Sequence, residues 1–297
     1  MNKKFWLLGL SLMMLAAFAL TGCGGDKKPE AKPAQPAGPQ TIKLAHVVNE
    51  KDGFHIAAMK FKELVEQRTQ GKVKVELFPN AQLGDERTLI EGMQIGTVHM
   101  GVITNGPVAN FLPEIAAFEM PFLFNSPAQA YKVLDGEVGQ KVLAKLDAIN
   151  LKGLAYAERG FRNLTNSKRP VKTPADMAGL KIRVMENPVY IDTFKTLGTN
   201  PVPMAWTEAL TALQQGTIDG QENPINVIYS FKLNETQKHL SMTQHSYAPA
   251  LFLMSKKVFT GFDKATQDIL VKAAQEAAAH ERKWNGDQMA DMIKQLK

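Results

Sequence analysis

The chain has 297 residues, of which 44% are hydrophobic and 22% charged, and its formal net charge is +6. That balance belongs to a folded globular protein long enough for two domains, and the basic excess is too small and too scattered to serve nucleic acid. One cysteine, Cys23, excludes an internal disulfide and any cysteine-based metal site, so the body must be held by its core.

Residues 1–22 read as a signal peptide: Lys3 and Lys4 precede an apolar stretch, Phe5 to Leu20, broken only by Gly9 and Ser11. The stretch is shorter than the roughly 20 apolar residues that span a bilayer. Removing the segment takes Lys3 and Lys4 with it, leaving 35 − 2 = 33 basic against 29 acidic side chains, or +4. Leu20-Thr21-Gly22-Cys23 resembles the lipobox of bacterial lipoproteins, which implies cleavage before Cys23 and a diacylglycerol on its thiol. The other reading is an ordinary signal peptide with a chance cysteine. Residues 24–40, GGDKKPEAKPAQPAGPQ, have four prolines, three glycines and no large apolar side chain, so they are expected to be a disordered tether.

The body starts at residue 41. TIKLAHVV (41–48) reads as an apolar strand, and Phe54, Ala57, Ala58, Phe61, Leu64 and Val65 follow at helical spacing until Gly71. KVKVELF (72–78) alternates as a half-buried strand, Glu86 to Ile95 reads as a helix, and VHMGVIT (98–104) as a strand. A β-α-β-α-β opening predicts an α/β lobe with a largely parallel sheet, whose ligands bind beyond the carboxyl ends of the strands. Later, Thr173-Pro174-Ala175-Asp176 has the form of a helix start. LKIRV (180–184) reads as a short strand, Asn187–Leu197 and Thr207–Gln215 as helices, and IDGQE (218–222) as a strand or strand edge. APALFLMS (248–255) is a buried strand, and from Asp263 onward an alanine-rich helical stripe runs to the end.

Catalytic signatures do not emerge. There is no phosphate-cradling glycine loop, no dinucleotide fingerprint and no nucleophile elbow. None of the six histidines has metal-ligand spacing with another; His46 and His55, nine apart across a turn, can meet in space but read as surface or packing residues. Asp85-Glu86 sits at a helix start, where the macrodipole favours acids without any catalytic role. Two arginines need an explanation. Arg162 lies in GFRNLTN (160–166) after the apolar residues Leu154 to Ala157, and Arg183 is flanked by Ile182 and Val184. Arg183 either faces solvent from the polar side of its strand or points into a cleft, where its planar fork would grip a carboxylate.

GFRNLTNSKRPVKTPADMAGLKIRVMENP (160–188) and NPVPMAWTEALTALQQGTIDGQENP (200–224) closely resemble the dicarboxylate-binding type of solute-binding subunit from tripartite ATP-independent periplasmic (TRAP) transporters. LGDER (83–87) and PFLF (121–124) fit the earlier half of the same family. The resemblance implies an α/β, two-lobed periplasmic-binding-protein-like fold with crossing hinge strands and a long C-terminal helix. It implies a lobe of residues 41–160 plus 249–288 and another of 161–248 plus 289–297. Family members usually continue beyond this chain's last residue, so the final helix is expected to be incomplete.

By the same resemblance the protein is not an enzyme and takes no cofactor or metal. It would clamp a small organic carboxylate between its lobes and deliver it to membrane-embedded permease subunits, working outside the cytoplasm on a lipid anchor. Arg183 matches the carboxylate-clamping arginine, Arg162 the second cationic contact, Asn223 of GQENP a hydrogen-bonding pocket residue and Trp206 an aromatic pocket wall. Val47, Asn49 and Asn105 are assigned to the first lobe's pocket edge by position alone. The alternatives are the same binder serving a signalling receptor, and a lipid-anchored hydrolase, for which no nucleophile–base pair is found.

Overall fold

A computed structural model describes residues 40–296; the signal segment, Cys23 and the tether up to residue 39 lie outside the described residues. β1 (Gln40–Ala45), α1 (Gly53–Arg68), β2 (Val73–Phe78), α2 (Glu86–Ile95) and β3 (Met100–Thr104) form the opening β-α-β-α-β run. Asp52 starts α1 by accepting the Phe54 N–H, and the helix buries Phe54, Ala57, Ala58, Phe61, Leu64 and Val65 on one face. The chain then reverses through Gly71, whose φ of 75° is a left-handed conformation that costs glycine little. β1 stops at Ala45, three residues short of the expected end, and His46 to Val48 form a buried turn instead.

After β3 come the short helix α3 (Asn105–Val108), a 3-10 segment over Pro113–Glu119, and helices α4 (Pro127–Leu134) and α5 (Glu137–Lys145). Then β4 (Leu151–Asn166) crosses the molecule. β5 (Lys181–Val184), α6 (Pro188–Thr196), β6 (Asn200–Pro203), α7 (Trp206–Gln215), β7 (Gly220–Asn223) and α8 (Ile225–Ser230) build the second half. β8 (His239–Ser255) returns, followed by α9 (Lys256–Thr260) and the 32-residue α10 (Lys264–Gln295), started by Asp263 accepting the Thr266 N–H. The expected helix at Thr173 is only a 3-10 turn, Pro174–Met177, with a capping box between Thr173 and Asp176.

Among the described residues, eight strands join one sheet in the order β2-β1-β3-β8-β4-β7-β5-β6. β2, β1 and β3 run parallel on one side, and β7, β5 and β6 run parallel on the other. Between them β4 and β8 pair antiparallel along nearly their whole length. The fold is therefore α/β and two-lobed, with two long strands passing through both lobes and a long C-terminal helix. Three register shifts interrupt the β4–β8 ladder, between Gly153 and Ala155, Glu158 and Gly160, and Arg162 and Leu164. Such irregularities bend a strand and raise its twist. Gly160, with φ 108°, occupies a conformation other residues rarely adopt.

One apolar core surrounds Ile42, Leu44, Phe61, Val75, Ile90, Val102 and Phe252 and extends to Trp206 and Ile228. A second, smaller cluster joins Leu164, Ile182, Val184, Met185, Tyr190 and Phe194. In β5, Ile182 and Val184 enter that cluster, so alternation sends Arg183 to the other side of the strand.

Candidate functional site

The parallel strands of both lobes end in the same region: β1 at Ala45, β3 at Thr104, β5 at Val184 and β7 at Asn223. Arg183 is the central cation there. It is only 4% exposed, so the reading that put it on a solvent face is excluded. Its Nε and Nη2 donate to the Met204 carbonyl at 3.0 and 2.7 Å. The guanidinium stands 5.6 Å from the centroid of the Trp206 ring. No carboxylate among the described residues lies within ion-pairing distance of it, and its Nη1 makes no hydrogen bond to them. Burial pulls its pKa down to about 10, with the charge of Glu222 opposing and that of Arg162 adding to the fall. A desolvated guanidinium without a counter-charge is costly, and an anionic ligand relieves that cost.

Arg162 is handled differently. Its Nε and Nη2 grip both carboxylate oxygens of Glu222, and Nη2 also donates to the Glu222 carbonyl at 2.6 Å. His245 Nε2 meets the same carboxylate at 3.1 Å. Burial opposes both charges, yet Arg162 holds the Glu222 carboxyl below its ordinary range, and Glu222 in turn keeps Arg162 protonated. One edge of Arg162 is thus committed to the protein, while its Nη1 makes no hydrogen bond among the described residues.

Arg183 pairs in register with Gln221 on β7, so Asn223, two residues on, shares its side of the sheet. Asn223 Nδ2 donates to Gln221 Oε1 at 2.6 Å. Trp206 is 8% exposed and its Nε1 is a buried donor with no partner. The structure therefore brings Arg183, Trp206 and Asn223 to one side, with unbonded donors on Arg183 and Trp206.

The first-lobe residues are distributed less evenly. Val47 is buried in the turn after β1. Asn49 uses its side chain to hold backbone, donating to the Ser230 carbonyl at 3.0 Å and accepting from the Lys51 N–H at 3.0 Å. Asn105 donates to the Ile115 carbonyl at 3.1 Å, and its Oδ1 is buried without a partner.

Sequence reasoning missed two residues of this region. Glu86 stands in the first turn of α2, as expected, behind the cap Asp85, which accepts the Thr88 N–H at 2.8 Å. What the sequence does not show is that Glu86 also accepts the Thr104 N–H at 2.6 Å. Burial raises its pKa, against the hydrogen bonds of Thr104 and, more weakly, the charges of Arg159 and Arg183. Arg159 pairs with buried Asp52 at 2.7 Å and lies 4.3 Å from the Phe54 ring centroid. An arginine directly before a glycine on a long strand was the available signal.

His46 and His55 do meet, with ring nitrogens 3.1 Å apart, and burial lowers the His46 pKa to about 4. Among the described residues no cluster of three or more histidine, cysteine or acidic side chains is arranged to hold a metal ion.

Two lobes hinged on paired strands, with polar side chains gathered where parallel strands end between them, define an extracytoplasmic solute-binding protein. Residues 44–297 match the DctP family, bacterial extracellular solute-binding protein, family 7, and the chain belongs to it. This is the TRAP-transporter group of binding proteins. The 2,3-diketo-L-gulonate-binding periplasmic protein of Escherichia coli (strain K12) is 42% identical over 258 residues, covering 87% of this chain and 79% of that relative. The TRAP periplasmic solute-binding protein from Polaromonas sp. JS666, bound to D-erythronate, is 45% identical with a TM-score of 0.85, covering 86% of this chain and 85% of its own. The sugar acid binding protein of Advenella mimigardefordensis strain DPN7T, in complex with galactonate, is 38% identical with a TM-score of 0.85, covering 87% and 84%.

Proposed function

We propose that this protein captures a small organic carboxylate in the cleft and delivers it to a TRAP-type membrane permease, without chemical change to the ligand. The observation that carries the reading is Arg183: buried, beside an aromatic face, and without an ion-pair partner among the described residues. Its fork suits the two oxygens of one carboxylate, with Arg162 lending a second positive charge and Asn223 and Trp206 lining the ligand. Val47, Asn49 and Asn105 border the cleft from the first lobe, with Asn49 acting through the backbone it holds. The acids named with the relatives, D-erythronate and galactonate, support this ligand class.

Residues 41–160 with 249–288 would act as one lobe and residues 161–248 with 289–297 as the other. A ligand touching both favours the closed arrangement by its contacts on each side. Lipidated Cys23 and the tether to residue 39 would keep the binder beside its permease; Gln40, expected as its last residue, instead begins β1. The test is calorimetric titration of D-erythronate and D-galactonate into wild type and Arg183→Ala. Losing one partner of a desolvated charge pair costs about 2–5 kcal/mol, so the variant should bind two to three orders of magnitude more weakly on that scale. Undiminished affinity in the variant would overturn the reading.

A further inference from the structure

A line of hydrogen bonds runs from the interior of the second lobe to Asn223, and its direction is set at the inner end. Gln237 Nε2 donates to the Thr236 carbonyl at 3.4 Å, and a carbonyl can only accept. That turns Gln237 Oε1 toward Thr165, whose hydroxyl donates to it at 3.0 Å. Having given its one proton, the Thr165 oxygen accepts from Gln221 Nε2 at 2.8 Å. Gln221 then presents Oε1 to Asn223, which donates Nδ2 at 2.6 Å. All four residues are buried, and Gln221 is fully so. Asn223 is thereby left with its Oδ1 turned away from the chain, and among the described residues that oxygen accepts no hydrogen bond.

Resting on the carboxylate reading above, we infer that Gln221 is a positioning residue that fixes which end of the Asn223 amide meets the ligand and so selects hydroxy acids over plain dicarboxylates. Arg183 and Asn223 lie on one side of the sheet, on neighbouring strands, with Arg183 in register with Gln221. A ligand whose carboxylate lies on Arg183 extends its carbon chain past Asn223 Oδ1, an acceptor. A hydroxyl there donates a hydrogen bond. A second carboxylate there sets acceptor against acceptor and loses water without replacement. Sites built for one hydrogen-bonding sense reject the opposite sense strongly, because the buried group is left unpaired.

The experiment is calorimetric titration with matched pairs, D-erythronate against succinate and D-galactonate against adipate, into wild type, Gln221→Met, Thr165→Val and Arg183→Ala. Wild type should prefer the hydroxy acid of each pair by at least about tenfold. Gln221→Met keeps the side-chain length but frees the Asn223 amide to turn, so the preference should narrow by roughly tenfold. Thr165→Val, nearly isosteric, breaks the same line further in and should narrow it in the same direction, which covers failure of the Gln221 variant to fold. General loosening would weaken both members of a pair together and leave their ratio unchanged. The inference is overturned if the ratio survives in the folded variants, or if wild type binds the dicarboxylates as well as the hydroxy acids or binds neither hydroxy acid. Arg183→Ala should lose both members of each pair; if it keeps them, the carboxylate reading itself fails.

Discussion

Asn187, the residue that caps α6, donates from Nδ2 to Glu119 Oε2 at 2.9 Å and to the Gly106 carbonyl at 3.2 Å. It thereby fastens the second parallel half of the sheet to the segment that follows the first. Asn110 Nδ2 adds a bond to the Glu186 carbonyl at 2.6 Å nearby. Glu119 is completely buried, faces the Tyr190 hydroxyl at 3.4 Å, and has Arg162 and Glu222 within electrostatic reach.

Burial raises the Glu119 carboxyl from its ordinary 4.5 to about 8, against the opposing pull of Asn105 and Arg162. A folded-state pKa above the unfolded one means the folded state binds the proton more tightly. This contribution to stability is full below the unfolded value and is lost as pH rises through about 8. Urea unfolding at about pH 5 and about pH 9 should show a larger alkaline loss in wild type than in Glu119→Gln, which cannot ionise. Equal losses in both would assign the pH dependence to other groups.

Arg183→Lys should fail to restore binding. Lysine keeps the charge but lacks the fork that holds the Met204 carbonyl and still offers Nη1 to the ligand. Circular dichroism should match wild type, because Ile182 and Val184 hold β5 in the core. Wild-type affinity in this variant would rule out a bidentate grip.

Ligand should draw the lobes together. Small-angle scattering at saturation is expected to give a smaller radius of gyration than the ligand-free protein gives. The bending would concentrate near the register shifts of β4 and β8. An unchanged radius would mean a rigid pocket.

Cys23→Ser should release the protein from the membrane fraction while leaving its affinity in solution unchanged, since Cys23 precedes the first residue of β1, Gln40, by 17 positions in the sequence. Continued membrane association of the serine variant would count against the lipid anchor.

The opening β-α-β-α-β run was legible because its helices and strands carry clean apolar periods and a capping aspartate. α4 and α5 were not, because each is short and buries only two residues, so neither carries a full apolar stripe. Residues 239–244 of β8 escaped notice because its exposed and half-buried positions alternate among polar and apolar types alike. Arg183 stood out as a cation between two apolar neighbours. Gln221 did not, since its partner Thr165 is 56 residues away and only strand pairing makes them neighbours. Glu86 was legible as a first-turn acid, which it is, but its bond to Thr104 was not, because that depends on β3 ending beside it.

The central pair of strands also governs when the protein can fold. β3 and β4 both rely on β8 as their antiparallel neighbour, and β8 is completed only at Ser255. Until β8 has been delivered, the outer edge of β3 is unpaired and β4 lacks the neighbour that lines most of its length. In a chain that emerges amino terminus first, the strands that meet at the centre of the sheet are therefore made long before the one that joins them.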